Sequence, residues 1–227
     1  MITIKNEKAR SVLKILIPFV LIPAAVAAGA LIAGGEWYVY ATIVVAVLST
    51  ALFICGFEKK KTGSRRIVAV CVMVALSVVG RFIPLVKPVA ALTAITGMYL
   101  GGEAGFLCGA LSALISNFYF GHGPWTPFQM LAWGLIGLFA GFFGKALIKH
   151  RAALYAYGAV AGVFFSLMMD VWTVLWTGAF DASLYVSAII AAVPHTVIYA
   201  VSNVLFLMIC AKPLGEKLAR LKIRYGV

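Results

Sequence analysis

The sequence is short of charged residues. Charged side chains make up 11% of its 227 residues, only seven of them acidic, while 63% of the residues are hydrophobic. A soluble domain carries about 25% charged residues because its surface has to be hydrated. This shortage excludes a soluble enzyme and a nucleic-acid-binding module, and the high hydrophobicity excludes a disordered chain. The composition therefore predicts an integral membrane protein, with a lipid bilayer around it and no nucleic-acid partner.

Motifs for common catalytic and metal-binding chemistry are missing too. The sequence has no GxxxxGK[ST] loop to hold ATP, and no HExxH or GxSxG motif of a metalloprotease or an esterase. Four cysteines stand inside apolar runs, without a CxxC pair or a metal-ligand spacing: Cys55, Cys71, Cys108 and Cys210. This placement is typical of free, small packing residues. We therefore expect no metal site and no intrinsic cofactor.

Long apolar segments predict the fold class. A spanning helix needs about 20 mostly apolar residues. Eight segments qualify, two of them short or interrupted: 12–33, 39–57, 67–83, 88–101, 104–119, 127–148, 153–178 and 185–211. The segment 88–101 is the weakest, since it is short and glycine-rich at its end, which predicts a broken or tilted helix. The sequence thus predicts an all-α integral membrane protein with about eight transmembrane helices.

The basic residues predict an orientation. If the eight spans alternate in direction, every lysine and arginine except Arg81 and Lys87 falls on the same side of the membrane. Cytoplasmic loops of membrane proteins carry an excess of these residues. We therefore expect a multi-pass protein of the cell membrane with both termini in the cytoplasm, and the net charge of +12 reflects this orientation.

A basic loop divides the chain. Residues 58–66 are predicted to be a cytoplasmic linker between an N-terminal transmembrane hairpin (1–57) and a six-helix core (67–227), which holds nearly every unusual polar residue. Small residues recur at a spacing of four in Gly101/Gly105, Gly109/Ala113, Gly137/Gly141 and Gly158/Gly162. Such pairs let helix backbones approach closely. They predict packing within the chain or, as the alternative, a docking face for another membrane protein.

Two ionisable residues stand within the last two predicted spans. Asp170 follows Ser166 at helical spacing, and His195 is aligned with Tyr199 in the same way. The two spans run antiparallel, so Asp170 and His195 are expected at comparable depths in the outer half of the membrane. They form either a buried Asp–His or Asp–hydroxyl pair that satisfies itself between the helices, or the polar wall of an outward-facing pocket. A membrane-embedded enzyme that uses them as an acid–base pair is a further alternative.

The segment 117–133 is the densest in side-chain chemistry. Glycines and prolines at 121–127 predict a stiff outer turn. The turn itself does not require the polar and aromatic side chains that accompany it, namely Asn117, His122, Trp125, Gln129 and Trp133. Rigid loops that carry such groups suit recognition of a small molecule. In the other outer connection, Arg81 either extends to the lipid headgroups or, with Lys87, holds an anionic or amide-rich ligand.

Three stretches resemble the substrate-binding S components of energy-coupling factor (ECF) transporters. They are Ala75-Leu-Ser-Val-Val-Gly-Arg81, Gly101-Gly-Glu-Ala-Gly-Phe106 and Gly123-Pro-Trp-Thr-Pro-Phe-Gln-Met130. The third stretch is the most specific, and the likeness covers about 67–227. Within the family, the sequence is most similar to the cobalamin branch.

The resemblance implies a six-helix substrate-binding subunit that is not an enzyme. It would capture a vitamin, with cobalamin or a related corrinoid suspected and another small vitamin or precursor as the alternative. Delivery would require a transmembrane coupling protein (EcfT-type) and two ATPase subunits. The N-terminal hairpin exceeds the six helices usual in this family.

The resemblance also implies site residues. The family docks on its coupling protein through an Ala-xxx-Ala surface of the first core helix, and the nearest match here is the small-xxx-small pair Cys71 and Ala75. The candidate substrate-binding side chains are Arg81, Asn117, His122, Trp125, Gln129, Trp133, Asp170, His195 and Tyr199.

Overall fold

A computed structural model describes residues 7–31, 37–56, 63–177 and 180–225, and within these ranges every regular element is a helix. The helices are α1 (Glu7–Leu16), a π-helical turn (Ile17–Leu21), α2 (Ile22–Leu31), α3 (Trp37–Cys55), α4 (Gly63–Gly80), α5 (Val89–Leu100), α6 (Gly102–Phe120), α7 (Trp125–Phe142), α8 (Gly144–Lys149), α9 (Arg151–Leu175) and α10 (Ala182–Tyr225). The predicted all-α fold class is confirmed.

Four helical stretches are long and apolar enough to cross a membrane. They are Glu7–Leu31, Trp37–Cys55, Arg151–Leu175 and Ala182–Ile223. The remaining core helices α4 to α7 are shorter or more polar. In the described residues, each of the eight predicted segments overlaps a helical stretch, and the segment 127–148 overlaps two helices, α7 and α8.

Three details of the predicted segments differ from the structure. The segment 88–101 agrees in its limits but forms one unbroken helix, α5, so the predicted break is wrong. The segment 127–148 contains two helices, because the chain leaves helical geometry at Phe143, which precedes Gly144 and follows Gly141 by two residues, and glycine favours helix poorly. The last helix continues past residue 211 to Tyr225, since Pro213 is followed by good helix formers that extend the helix beyond it.

The two ends of the bundle differ in charge. The Arg81 end contains the connection 81–88 between α4 and α5 and the turn 121–124 between α6 and α7. The opposite end, here called the basic end, contains the starts of α4, α6 and α9. There Lys14 forms an ion pair with Glu103 at 2.6 Å, and Arg66 donates to the backbone oxygen of Leu100 at 2.5 Å.

Helix α5 is the centre of the core. Its residues from Val89 to Met98 are all buried, as expected of a helix that is apolar all round. It packs against α6 and α7 at glycines: a Cβ added at Gly97 or at Gly105 would collide with the backbone of Gly137. Gly162 approaches Ala200 on α10 in the same manner. The small-residue pairs therefore serve packing within the chain.

The N-terminal hairpin formed by α1 to α3 packs on α6 and α7. Pro18 lies in the π-helical turn, where its missing N–H interrupts the regular hydrogen-bond ladder. The Phe19 ring lies 5.9 Å from that of Phe139. Together with the ion pair between Lys14 and Glu103, this contact attaches the hairpin to the core.

Candidate functional site

Arg81 follows the last residue of α4, and its side chain turns into the bundle. It is only 8% exposed. Its Nη1 donates to Ser116 Oγ at 2.5 Å and to Asn117 Oδ1 at 2.6 Å. The guanidinium also lies over the rings of Phe120 and Trp133, 4.8 Å and 5.1 Å from their centroids. Extension of Arg81 to the headgroups is therefore wrong, because its charge is met inside the bundle by polar oxygens and ring faces.

Asn117 connects Arg81 to the next helix. It lies in the last turn of α6 and is fully buried. Its Nδ2 donates to Thr126 Oγ1 and to Gln129 Oε1, both at 2.9 Å and both on the first two turns of α7. Since Asn117 Oδ1 accepts from Arg81, one amide joins α4, α6 and α7. The structure thus brings the predicted site residues Arg81, Asn117 and Gln129 together.

Three buried rings form what we call the aromatic stack: Trp133, Phe165 and Tyr199. They come from α7, α9 and α10. The Phe165 ring is parallel to those of Trp133 and Tyr199, at an interplanar angle of 8° and a centroid distance of 4.9 Å in each pair. Because Arg81 lies over Trp133, the stack adjoins the polar network. Flat apolar surfaces and hydrogen-bonding groups therefore meet at one place.

Two polar side chains near the aromatic stack have buried atoms without a hydrogen-bond partner. Both amide atoms of Asn203 and Oδ2 of Asp170 are in this state. Asn203 lies one turn beyond Tyr199 on α10, and Asp170 lies one turn beyond Ser166, the neighbour of Phe165. An unpaired buried polar group costs about 1–3 kcal/mol, so such groups usually find a ligand or an ordered water. Asn203 and Asp170 thus retain hydrogen-bonding capacity on the two helices that carry Phe165 and Tyr199.

Asp170 and His195 do not pair. Neither a hydrogen bond nor an ion pair within 4.0 Å joins them, and Asp170 is buried while the His195 side chain is exposed. The two helices are instead joined one turn deeper by Ser166 and Thr196, whose hydroxyl oxygens are 2.5 Å apart. His195 stacks on Tyr199 at 5.4 Å. The predicted self-satisfying Asp–His pair is therefore wrong.

His122 and Trp125 lie apart from the Arg81 network. His122 is half-buried in the turn 121–124, with its ring edge-on to that of the exposed Phe118. Burial lowers the pKa of His122. Trp125 packs edge-on against Trp172 at the end of α9, 5.7 Å away. Both side chains are at the Arg81 end but outside the polar network.

The connection 81–88 adds a second cation. At this connection, Ser202 of α10 donates to the backbone oxygen of Lys87 at 3.3 Å. The Lys87 ammonium lies 5.5 Å from the Phe120 ring, and burial and the nearby charge of Arg81 lower its pKa.

The predicted docking pair faces outward. Cys71 and Ala75 are both exposed on α4, on a face that also exposes Val68, Val72 and Val79. Contact of this face with a coupling protein stays a prediction.

Two important side chains are not among the predicted candidates. Phe165 is an ordinary ring within an apolar helix, and the sequence contains no signal that distinguishes it from core packing. Ser116 adjoins Asn117, but serine within a helix commonly bonds to the preceding turn, as Ser116 also does with the Ser112 carbonyl.

A comparison with known families decides the class of protein. Residues 59–220 match the family model described as ECF-type riboflavin transporter, S component. The chain belongs to this family. No curated protein and no solved structure gives a significant match. An S component is a substrate-binding subunit of a transporter, so this chain is not an enzyme. The match begins after the N-terminal hairpin, and it does not support the cobalamin branch.

Proposed function

We propose that this S component binds riboflavin or a close flavin analogue at the Arg81 end. The observation that carries the proposal is the set of unpaired buried atoms of Asn203 and Asp170 beside the aromatic stack. The riboflavin-type family model supports the choice of ligand.

The chemistry of riboflavin suits these groups. Its ring system is planar and aromatic, and such rings stack on Trp, Phe and Tyr side chains. The polar edge of the ring carries both carbonyl oxygens and an N–H, and the Asn203 amide offers one donor and one acceptor side to match them. The hydroxyls of the sugar-like chain can donate to the Asp170 carboxylate.

Transport is assigned to a larger complex. The chain has no P-loop motif, so ATP hydrolysis belongs to two partner ATPase subunits, which act through an EcfT-type coupling protein docked at Cys71 and Ala75. The Arg81 end faces outward and both termini lie in the cytoplasm, in line with the basic residues. A tag at either terminus should be accessible only after the cell membrane is permeabilised.

Flavin fluorescence tests the site. The purified chain in detergent is titrated with riboflavin, whose fluorescence is quenched when the ring stacks on aromatic side chains. Phe165→Leu removes the central ring of the aromatic stack and should weaken binding about tenfold. Phe164→Leu is the matched control, since it removes the neighbouring ring, which lies outside the stack, and should leave the affinity unchanged. Equal affinities of the two variants would exclude the aromatic stack from the site.

A further inference from the structure

A small cavity at the basic end carries a second cluster of polar side chains. Its volume is about 190 Å³, and it lies between α5, α8, α9 and α10. The cavity is open to the surface, and two exposed cations, Arg151 and Lys212, line it together with the phenol rings of Tyr99 and Tyr155. The other lining residues are apolar or small.

The charges in this cavity have no counter-ion in the described part of the chain. Neither Arg151 nor Lys212 forms an ion pair there, and the hydroxyls of Tyr99 and Tyr155 make no hydrogen bond. Arg151 is also the first residue of α9, so the positive end of the helix dipole points to the same place. Glu216 stands one turn after Lys212 on α10, outside the lining, and its carboxylate approaches Arg220 at 4.0 Å. The cavity is therefore suited to an anion.

The rim of the cavity distinguishes between kinds of anion. Ile148 and Met208 line it and are 47% and 54% exposed. In a helical membrane protein, exposed apolar side chains of this kind contact acyl chains. A free inorganic anion makes no use of them, whereas a phospholipid places its phosphate among the cations and its chains along the rim.

We propose that this cavity binds the phosphate of an anionic phospholipid. The basic end is the predicted cytoplasmic end, and the cytoplasmic leaflet is where anionic lipids attract clusters of Lys and Arg. A bound phosphate joins the start of α9 to α10 and to Tyr99 of α5. Further along α9 and α10 lie Phe165 and Tyr199, so the lipid braces the helices that carry the aromatic stack. This site does not depend on the proposed riboflavin site.

Native mass spectrometry of the full chain in detergent tests the proposal. The chain is titrated with phosphatidylglycerol, with phosphatidylcholine and, in a separate arm, with inorganic phosphate. The double variant Arg151→Gln/Lys212→Gln should bind phosphatidylglycerol about thirtyfold more weakly. Lys145→Gln/Lys222→Gln removes the same charge from exposed positions at the same end that do not line the cavity, and this variant should bind the lipid as the unaltered chain does.

A milder variant covers the case in which the double variant does not fold. Tyr155→Phe removes one hydroxyl and keeps both charges, and it should weaken phosphatidylglycerol binding about threefold. Equal binding by the cavity and control variants would overturn the proposal, as would equal binding of phosphatidylcholine. Inorganic phosphate that binds alone as tightly as the lipid would show a soluble-anion site instead.

Discussion

Arg81 donates a hydrogen bond to Asn117 at 2.6 Å and thereby joins the end of α4 to the α6–α7 turn. Both amide atoms of Asn117 are hydrogen-bonded, since its Nδ2 donates to Thr126 and Gln129. The buried Arg81 guanidinium is thus hydrogen-bonded to the Asn117 amide, which is itself hydrogen-bonded to two side chains of α7.

Removal of the Arg81 charge should destabilise the bundle. Glutamine is shorter than arginine and uncharged, so in Arg81→Gln the side chains of Ser116 and Asn117 lose their charged hydrogen-bond donor. The free energy of unfolding should therefore fall by about 2 kcal/mol. Denaturant titration in detergent measures this change. In a double-mutant cycle with Asn117→Ala, the two effects should be less than additive because they remove the same bond. Strict additivity would mean that the bond contributes nothing.

Replacement of Asn203 by an apolar side chain should separate binding from stability. Asn203→Leu removes two unpaired buried polar atoms, so the ligand-free chain should melt at the same or a higher temperature. The increase in melting temperature on addition of riboflavin should nevertheless shrink or vanish. Thr173→Val, at an exposed position of α9, is the control and should keep the full increase. A less stable Asn203→Leu chain with an unchanged riboflavin effect would assign Asn203 to the fold alone.

Gly137→Ala should destabilise the bundle, although helix propensity alone favours alanine over glycine. Propensity alone predicts a gain of up to about 1 kcal/mol from alanine. The added Cβ, however, would stand 2.8 Å from Gly105 Cα and closer still to its carbonyl group. Since the backbones of α6 and α7 cannot yield without losing other contacts, we expect a loss of about 1–3 kcal/mol. Stabilisation in the same unfolding assay would show that the helices are less closely packed.

Asp181 should make the stability depend on pH. Its Oδ1 accepts hydrogen bonds from the backbone N–H groups of Ser183 and Leu184, at 2.7 Å and 3.1 Å, and caps α10. These bonds and that from the Ser183 hydroxyl hold the pKa of Asp181 below its ordinary value. The stabilisation is therefore complete above the pKa of the unfolded chain and is lost as the pH falls through the folded value.

The variant Asp181→Asn isolates this contribution. Asparagine caps helices about as well as aspartate but does not titrate. The difference in melting temperature between the unaltered chain and the variant should therefore shrink as the pH is lowered. A difference independent of pH would show that the cap makes no titratable contribution.

The fold was predictable from the sequence because a chain that crosses a bilayer must satisfy its own backbone hydrogen bonds, which long apolar runs do by forming helices. Each long apolar run became a helix, and the glycine pairs became helix contacts. The departures have local causes: Gly141 and Gly144 flank the break at Phe143, and Pro213 is followed by strong helix formers. The hydrophobic pattern predicts neither the break at Phe143 nor the continuation of α10 past Pro213, since each depends on only a few residues.

The site was predictable only where its chemistry is rare in a membrane. Arg81, Asn117 and Gln129 are unusual in apolar helices, so the sequence identified them, and the structure brings them together. Phe165 is one of 15 phenylalanines and nothing in its neighbourhood indicates a stacking role. His195 was favoured for its chemistry, yet it is exposed although it shares a face of α10 with the buried Tyr199 one turn further on. Which turns of a helix are covered by neighbouring helices is set by tertiary packing.

The most direct test of the central claim is calorimetric titration of the purified chain with riboflavin in detergent, without ATP or partner subunits. Cobalamin, thiamine and biotin serve as comparison ligands. We predict one riboflavin bound per chain, with an affinity far above that for the other three, and a loss of binding in Phe165→Leu/Asn203→Leu. No heat with riboflavin, or tighter binding of cobalamin, would contradict the claim.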